Sequence, residues 1–499
     1  MKKVKFLAAL GTGAAGVTVT MVAATSAFAG TGTEQGPSSS ESPYLVRTKP
    51  GVVTTSILTT GDSVDGYRMV GIPDGLGAFD NGDGTFTVLM NHELPSNTGV
   101  VRAHGGKGAF ISKWVVEKDE LKVRQGEDLI KRMFQWDVAT STWQAIPADS
   151  PLLNLGRLCS ADLSDGAFHD AATGLGTTER IFMDGEEVGN EGRPLGTVVT
   201  GPDAGSSYVL AALGRMSFEN SVAKPNTGVS TVVAEMEDAG NGQVYFYVGT
   251  KKSSGTDVDK AGLSGGQLYG LKIDGVTSEN DATTLPGGSA HFSLVPLGDV
   301  SALSGAQLDA LSAPNGLSGL NRPEDGSWDP SDGHNYYFNT TASFTGISRI
   351  WKLRFDSPTD VLAGGVATIE VASPPFDPAK PNADQAGPRM FDNMTVNDHG
   401  QVISLEDVGN NAYLGGVYQY DPATKALARI AQHDPDRFVP GASGFLTQDE
   451  ESSGVITAFF LGNGKYLIDV QNHKPSADPE LVEGGQLLLL NVPLGRPVS

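Results

Sequence analysis

Cysteine is almost absent from this 499-residue chain, which contains a single one, Cys159. One cysteine excludes a disulfide framework within a monomer, although an exported protein would be free to form one. Basic residues are also scarce, because 35 Lys and Arg stand against 58 Asp and Glu and the formal net charge is −23. So acidic a surface repels nucleic acid and anionic membranes, and we expect neither as a partner.

Long apolar runs are lacking except at the N-terminus. Three lysines in the first five residues precede an uncharged stretch from Phe6 to Ser26, and Ala27-Phe28-Ala29 has the small-x-small pattern of a signal peptidase site. A membrane anchor is the alternative, but glycines dilute the stretch and no positively charged cluster follows it. The pattern predicts a signal peptide over residues 1–29 and therefore a secreted protein. Because no Arg-Arg pair is present, the signal is of the Sec type and not the twin-arginine type.

The rest of the chain indicates an all-β fold. Residues 30–50 are polar and rich in Ser, Gly and Pro, which predicts a flexible leader, and residues 51–499 would form the folded domain. In that domain, short runs of alternating apolar and polar residues lie between Gly, Asn and Asp turns. Val115 to Met133 is charged and amphipathic, and we predict a helical insertion there.

An internal repeat is present in the β-rich part. In each copy, a Gly-containing turn leads into a strand that ends in polar or acidic residues. The six copies are GTFTVLMNHE (84–93), RIFMDGEE (180–187), GQVYFYVGTK (242–251), HNYYFNTT (334–341), GQVISLEDVG (400–409) and GKYLIDVQNH (464–473).

A second short motif precedes each copy. These motifs are IPDG (72–75), LCSAD (158–162), SFENS (217–221), RPED (322–325), FDNM (391–394) and DEESS (449–453). Six units of antiparallel strands predict a six-bladed β-propeller with loop and helical insertions. Seven blades or two separate β domains are the alternatives.

The second set of motifs predicts a site in the central channel. Inner strands of a propeller surround its axis, so equivalent positions of the blades converge there. The residues that would meet are Asp74, Cys159, Glu219, Glu324, Asp392 and Glu451. Gathering these carboxylates is unfavourable without counter-charge, which bound cations would supply. Taken singly, each acid is better explained as a solvated turn residue, but the occurrence of six in register favours a site.

The residue types favour two kinds of metal. Carboxylates suit Ca²⁺, and the acids at the strand ends that could bind it are Glu93, Glu186, Glu187, Asp238, Glu406 and Asp407. Cys159 does not suit calcium, because a thiolate prefers a transition metal; with carboxylates and no clustered histidines, this indicates iron. A small buried side chain is the alternative interpretation of Cys159.

Arg322 lies two residues before Glu324 in the RPED motif. It would either neutralise the acidic cluster or bind phosphoryl oxygens through its two-pronged guanidinium. No P-loop or strand-associated GxGxxG motif is present and no Ser-His-Asp set stands out, which argues against a nucleotide-binding fold and a serine hydrolase.

These motifs together resemble the PhoX family of metal-dependent alkaline phosphatases. The resemblance rests on LCSAD with the later GEE, GRMSFENSVA, MEDAGNGQVYFYVG, NRPED, FDNM, DEESSG and YLIDVQNH, in that order from about residue 65 to 475. It implies a six-bladed propeller with a cluster of ferric and calcium ions that hydrolyses phosphomonoesters. Three features depart from the family: Lys-Lys in the signal, Phe218 where a histidine is usual, and a longer stretch after Cys159.

The resemblance also implies roles for individual residues. Cys159, Glu187, Glu219 and Glu324 are similar to iron ligands, Arg322 to the phosphate-binding arginine, and Asn91 to a phosphate-side residue. Asp238, Glu186 and Glu93 are similar to calcium ligands. We therefore expect a secreted, monomeric phosphomonoesterase that acts on small phosphorylated substrates. The alternatives are a non-catalytic, calcium-stabilised binding module and a calcium-dependent esterase or lactonase.

Overall fold

Six blades, built mainly of antiparallel strands, are arranged around a central channel. The computed structural model describes residues 32–493, so the predicted signal peptide lies outside the described residues. The first strands of blades 3, 4, 5, 6 and 1 lie side by side in that order, and in blade 2 Asp162 accepts a hydrogen bond from Ala223 N of blade 3. A hydrogen bond from Gly75 N to Cys159 O joins blades 1 and 2. The prediction of an all-β, six-bladed propeller is therefore confirmed.

The blades are numbered from the N-terminus and their strands from the channel outward. Blade 1 contains Pro73–Asp80, Thr85–His92, Phe110–Glu117 and Val123–Asp128. Blade 2 has the inner segment 158–162, which bridges to Ile181–Gly185, then Pro194–Val198 and Ser206–Val209, with the hairpin Arg132–Asp137 and Thr142–Ala145 outside. Blade 3 contains Phe218–Ala223, Ser230–Glu237, Val244–Thr250, Gln267–Ile273 and Ser289–Gly298.

The last three blades complete the ring. Blade 4 contains Pro323–Trp328, Asn335–Thr340, Arg349–Phe355 and Gly365–Ala372, and its outer strand pairs with that of blade 3 in one nine-stranded sheet. Blade 5 contains Phe391–Val396, Val402–Glu406, Gly416–Asp421, Ala426–His433 and Leu45–Arg47. Blade 6 contains Glu450–Thr457, Lys465–Asn472, Gly484–Asn491, Val53–Thr59 and Thr33–Gln35.

The remaining elements are short and lie between or beside the blades. Two-stranded pairs are Ser63–Val64 with Tyr67–Arg68, His169–Asp170 with Leu175–Gly176, and Gly240–Gly242 with Leu320–Asn321. The α-helices are Asp257–Lys260, Gly305–Asp309, Ser312–Asn315 and Pro435–Phe438. The 3₁₀ turns are Pro151–Leu153, Ala211–Leu213, Pro286–Gly288, Val361–Ala363, Asn382–Asp384 and Phe459–Leu461. In the described part of the chain, no helix is long and apolar enough to cross a membrane.

The segment predicted as a flexible leader belongs to the propeller from Gly32 onward. Thr33–Gln35 pairs with blade 6 and Leu45–Arg47 pairs with blade 5. Tyr44 is 4% exposed and Leu45 is fully buried. The N-terminal and C-terminal parts of the chain thus share blade 6, which closes the ring. The leader prediction is corrected, because a polar composition does not distinguish a linker from an edge strand.

The predicted helical insertion is also corrected. Residues 115–133 are the end of one blade 1 strand, all of the next, Val123–Asp128, and the start of the blade 2 hairpin. Burial alternates along the first of these strands, where Trp114 and Val116 are fully buried. The charges that suggested an amphipathic helix occupy the other face of strands.

Candidate metal site in the central channel

The six upstream motifs form the inner strands, and most of the predicted tips are the ends of second strands. Blade 3 differs, because its second strand is Ser230–Glu237, and 242–251 contributes the third strand. Inner strands begin, and second strands end, at the same end of the channel. Ten donor side chains lie at this end and form the acidic cluster: Asp74, Glu93, Cys159, Glu187, Glu219, Asp238, Glu324, Asp392, Asp407 and Glu451.

Two groups within the acidic cluster have the spacing of metal ligands. Asp74, Glu93 and Cys159 each offer one ligand atom, and these atoms lie within 4.8 Å of one another. Glu219, Glu324 and Asp392 form a second group that meets the same distance limit. All six residues are buried, and Cys159 Sγ is 3.3 Å from Glu187 Oε2 at the edge of the first group.

The electrostatics of the acidic cluster favour added positive charge. Burial and the neighbouring carboxylates raise the pKa of Asp74, Glu219, Glu324 and Asp392 well above the usual range. Burial and the same carboxylates also raise the pKa of the Cys159 thiol. Carboxyl and thiol groups that lie this close together and are shielded from water resist ionisation unless a cation compensates their negative charge.

Three protein cations lie among these acids. The Arg157 guanidinium contacts both Glu93 and Glu187, the latter through Nε at 2.7 Å. Arg322 donates to both oxygens of Asp238, at 2.8 and 2.7 Å, and lies 3.0 Å from Glu324.

His473 is the third cation. Hydrogen bonds with Glu451 and Glu483 raise its pKa to about 11, although burial acts in the opposite direction. Burial would raise the pKa of Glu451, but its hydrogen bond with His473 holds that pKa below the usual value. The raised pKa favours the protonated, positively charged form of His473 at neutral pH.

Arg157 and Arg322 occupy equivalent positions of the repeat. Each lies two residues before an inner-strand ligand candidate, Cys159 or Glu324. Each has a left-handed backbone, with φ of 30° and 62°. Each also contacts an acid at the end of the preceding blade's second strand. Their side chains are 49% and 34% exposed, so both guanidiniums remain open to solvent at the channel mouth.

The donor set fits bound cations. It combines many carboxylates, which suit hard cations such as calcium, with one thiol, which suits a transition metal. The amide of Gln471 donates to Asp74 Oδ2 and Glu93 Oε2, at 3.2 and 2.8 Å, and so orients two of the donors. Ser160 Oγ donates to Glu219 Oε1 at 2.6 Å and orients a third. Supporting contacts of this kind are typical of metal ligands.

Seven predicted metal ligands come together here, namely Cys159, Glu187, Glu219, Glu324, Asp238, Glu93 and Asp392, and Asp407 lies beside Glu451. Two others do not. The Glu186 carboxylate is paired with Arg193 and accepts from Gly156 N at 3.0 Å, inside blade 2. Glu406 accepts from the backbone N–H groups of Arg389 and Gly416 inside blade 5.

Asn91 lies behind the acidic cluster. Its side chain is fully buried and donates from Nδ2 to the Cys159 carbonyl oxygen at 2.7 Å. This hydrogen bond holds the backbone of Cys159 in place. The structure therefore gives Asn91 a supporting place, where the resemblance implied contact with phosphate.

Arg157 and His473 were absent from the predicted site. The signal for Arg157 was available, because Arg157-Leu158-Cys159 aligns with Arg322-Pro323-Glu324 in the repeat. His473 directly follows the second strand of blade 6, at a position where blades 1, 2, 3 and 5 have an acid, so a search for acids did not find it.

Further carboxyls are buried in the propeller away from the two ligand groups. Glu235 in blade 3 accepts from Ser221 Oγ, and its Oε1 has no partner among the described residues. Burial raises the pKa of Glu235 to about 8. The folded protein thus holds a proton that the unfolded chain releases near 4.5, so its contribution to stability is lost as pH rises from about 4.5 to about 8.

We predict that Glu235→Gln, which mimics the protonated acid, flattens this pH dependence. Between pH 5.5 and 8.5 the free energy of unfolding should fall by roughly 2–4 kcal/mol less in the variant than in the wild type. Denaturant unfolding of chelator-treated protein at the two pH values measures the difference. Glu120→Gln, at an exposed acid, is the matched control. Equal pH slopes for wild type and Glu235→Gln would contradict the prediction.

The channel also has a second end. It opens into a cavity of about 240 Å³ lined by the far ends of the inner strands, including Leu76, Val222, Trp328 and Ile456. Polar and acidic residues, among them Asp162 and Asp165, line this cavity as well. An anionic ligand would be attracted to the opposite mouth, where Arg157 and Arg322 are partly exposed.

Fold and site together define an all-β propeller with a carboxylate-rich candidate metal site at one end of its channel. The fold is that of PhoX: the structure of Pseudomonas fluorescens PhoX in complex with vanadate, a transition state analogue, superposes with a TM-score of 0.62 at 13% identity, covering 89% of this chain and 95% of that chain.

Two more distant structures have much lower similarity. They are a gluconolactonase from Xanthomonas campestris (TM-score 0.31, 12% identity, 90% of this chain and 99% of that one) and a fungal alcohol oxidase in complex with copper (TM-score 0.35, 10% identity, 84% and 74%). No protein-family model and no curated protein sequence matches the chain.

Proposed function

We propose that the protein is a secreted, metal-dependent hydrolase of small phosphate monoesters. The observation that carries the proposal is the pair of half-open arginines, Arg157 and Arg322, directly beside two groups of metal-ligand donors. A phosphate monoester needs its negative oxygens neutralised from several directions as the phosphorus is attacked. The PhoX structure of the same fold binds vanadate, which supports an oxyanion as the ligand.

The donor chemistry suggests how metals would be shared. The resemblance to PhoX implies that Cys159, Glu187, Glu219 and Glu324 would hold iron, and the thiolate is the donor that selects a transition metal. Calcium would bind the oxygen-only positions, among them Glu93, Asp238, Asp392 and Asp407. Bound cations would supply Lewis-acid stabilisation of the phosphoryl oxygens.

The protein's own residues would bind and orient the substrate. Arg157 and Arg322 would each turn N–H donors toward the phosphoryl oxygens while their remaining donors stay on acids of the cluster. Those acids hold the guanidiniums in place before substrate arrives, which lowers the reorganisation required. His473 would contribute positive charge, because its hydrogen bonds with Glu451 and Glu483 raise its pKa.

Metal removal gives the direct test. We expect chelation with EDTA to abolish hydrolysis of p-nitrophenyl phosphate and to lower the melting temperature by several degrees, because cations bound only to the folded state stabilise it by mass action. Turnover, differential scanning fluorimetry and elemental analysis would be measured on the same preparation. Added metal should restore both properties.

Parallel substrates separate the alternatives. Hydrolysis of p-nitrophenyl acetate or a lactone without hydrolysis of the phosphate would favour the esterase or lactonase. Metal-dependent stability without turnover of any of these would favour the binding module. Superimposable melts with and without chelator would mean that the acids of the cluster need no metal.

A further inference from the structure

A separate cavity of about 480 Å³ lies in the outer half of blade 5. Its walls come from the two outer strands Gly416–Asp421 and Ala426–His433, and from the loops around residues 383–387, 412–414 and 438–448. No residue of the acidic cluster lines it. The volume is in the range of pockets that hold small ligands.

One cationic side chain dominates this cavity. Arg429 is the single charged residue among those that line it, in a chain whose net charge is −23. Its guanidinium makes no hydrogen bond or ion pair with any residue between 32 and 493, whereas the nearby Glu406 carboxylate is satisfied by two backbone N–H groups. An unpaired guanidinium facing a cavity is a ready partner for an anion.

A β-bulge places this arginine in the wall. The pairing of the two outer strands shifts between Val417–Ala431 and Tyr418–Arg429, so that Arg429 and Gln432, an odd number of residues apart, both line the cavity. In a regular strand they would point to opposite faces. Bulges commonly re-aim a side chain beside a binding site.

Glycine and aromatic residues keep the space open and shape it. A Cβ on Gly416 would lie 2.7 Å from Arg429 Cδ, and one on Gly387 would collide with the hydroxyl groups of Tyr413 and Tyr418. The two tyrosines are 8% and 7% exposed and, with Phe438, provide apolar ring surface. The cavity therefore combines one cation, amide groups and flat apolar walls.

We propose that this cavity binds a small organic acid, with its carboxylate on Arg429 and a flat apolar body against the tyrosine and phenylalanine rings. A planar carboxylate matches the two-pronged guanidinium, and Gln432 is positioned as a further donor. One guanidinium without lysines suits a singly charged group better than a phosphate dianion. The site is independent of the proposed phosphatase activity.

Benzoate and its neutral analogue benzamide are the probes that test the site. We expect calorimetric titration of the full chain to show that benzoate binds. The affinity for benzamide should be at least roughly tenfold lower, because benzamide lacks the negative charge. Arg429→Gln should lower the affinity for benzoate by roughly tenfold or more and leave the affinity for benzamide unchanged. Ala412→Trp, at an exposed position on the rim of the cavity, should block the binding of both benzoate and benzamide by filling the cavity entrance.

Controls locate the binding. Arg354→Gln, at a half-exposed arginine on blade 4, should leave benzoate affinity unchanged. Arg322→Ala should also leave it unchanged, which separates the cavity from the channel. The proposal is overturned if wild type binds no benzoate, if Arg429→Gln binds it normally, or if Arg322→Ala abolishes binding.

Discussion

Replacing Arg322 with alanine is expected to lower turnover of p-nitrophenyl phosphate by roughly 10²-fold or more, the effect of losing one donor that stabilises the transition state. Arg322 is bound to Asp238 and Glu324 yet stays 34% exposed, so it can reach a phosphoryl group at the mouth of the channel. Steady-state kinetics measure the effect. The fold should be retained, because the side chain is not part of a hydrophobic core.

Two comparisons make the Arg322 result interpretable. Arg354→Ala removes an arginine whose only charged partner among the described residues is Asp332, on the rim of blade 4, and should leave turnover unchanged. Arg322→Lys keeps the charge but not the two-pronged geometry, and should recover part of the activity. Metal content has to match the wild type. Unchanged turnover in Arg322→Ala would mean that the arginine does no more than balance the acids.

Cys159→Ser is expected to remove the transition metal and phosphatase activity together. The thiol lies between Glu187, at 3.3 Å, and the donor atoms of Asp74 and Glu93. Only a thiolate at this place would favour iron over calcium. Ferric iron bound by thiolate absorbs visible light, so the wild type should be coloured and the variant colourless.

Calcium-dependent stability provides the internal control for Cys159→Ser. Calcium should still raise the melting temperature of the variant, because the carboxylates remain and serine is close to cysteine in size. A colourless, iron-free wild type that hydrolyses phosphate monoesters would refute the iron assignment and leave the phosphatase proposal intact. If Cys159→Ser retains full activity and metal, the cysteine is a buried structural side chain.

Much of the fold could be predicted because the repeat is local. Each blade carries a motif, a tight turn and a second strand, and the six motifs proved to be the inner strands. The N-terminal segment could not be predicted, because its strands pair with residues hundreds of positions later, as Val53 does with Asn491. Such pairing leaves little trace in local composition.

The acids at the blade tips show where the sequence stops being sufficient. Adjacent acids occur at Glu186-Glu187, Glu237-Asp238, Glu406-Asp407 and Glu450-Glu451. In each pair the second residue belongs to the acidic cluster, while the first accepts a backbone N–H group away from the cluster, within its own blade for Glu186, Glu237 and Glu406 and from blade 5 for Glu450. The sequence by itself determined the repeat, the acidic tips and the inner-strand donors. Which acid of each pair faces the channel was decided by tertiary structure, because successive side chains of a strand point to opposite faces and only the assembled ring defines which face is inward.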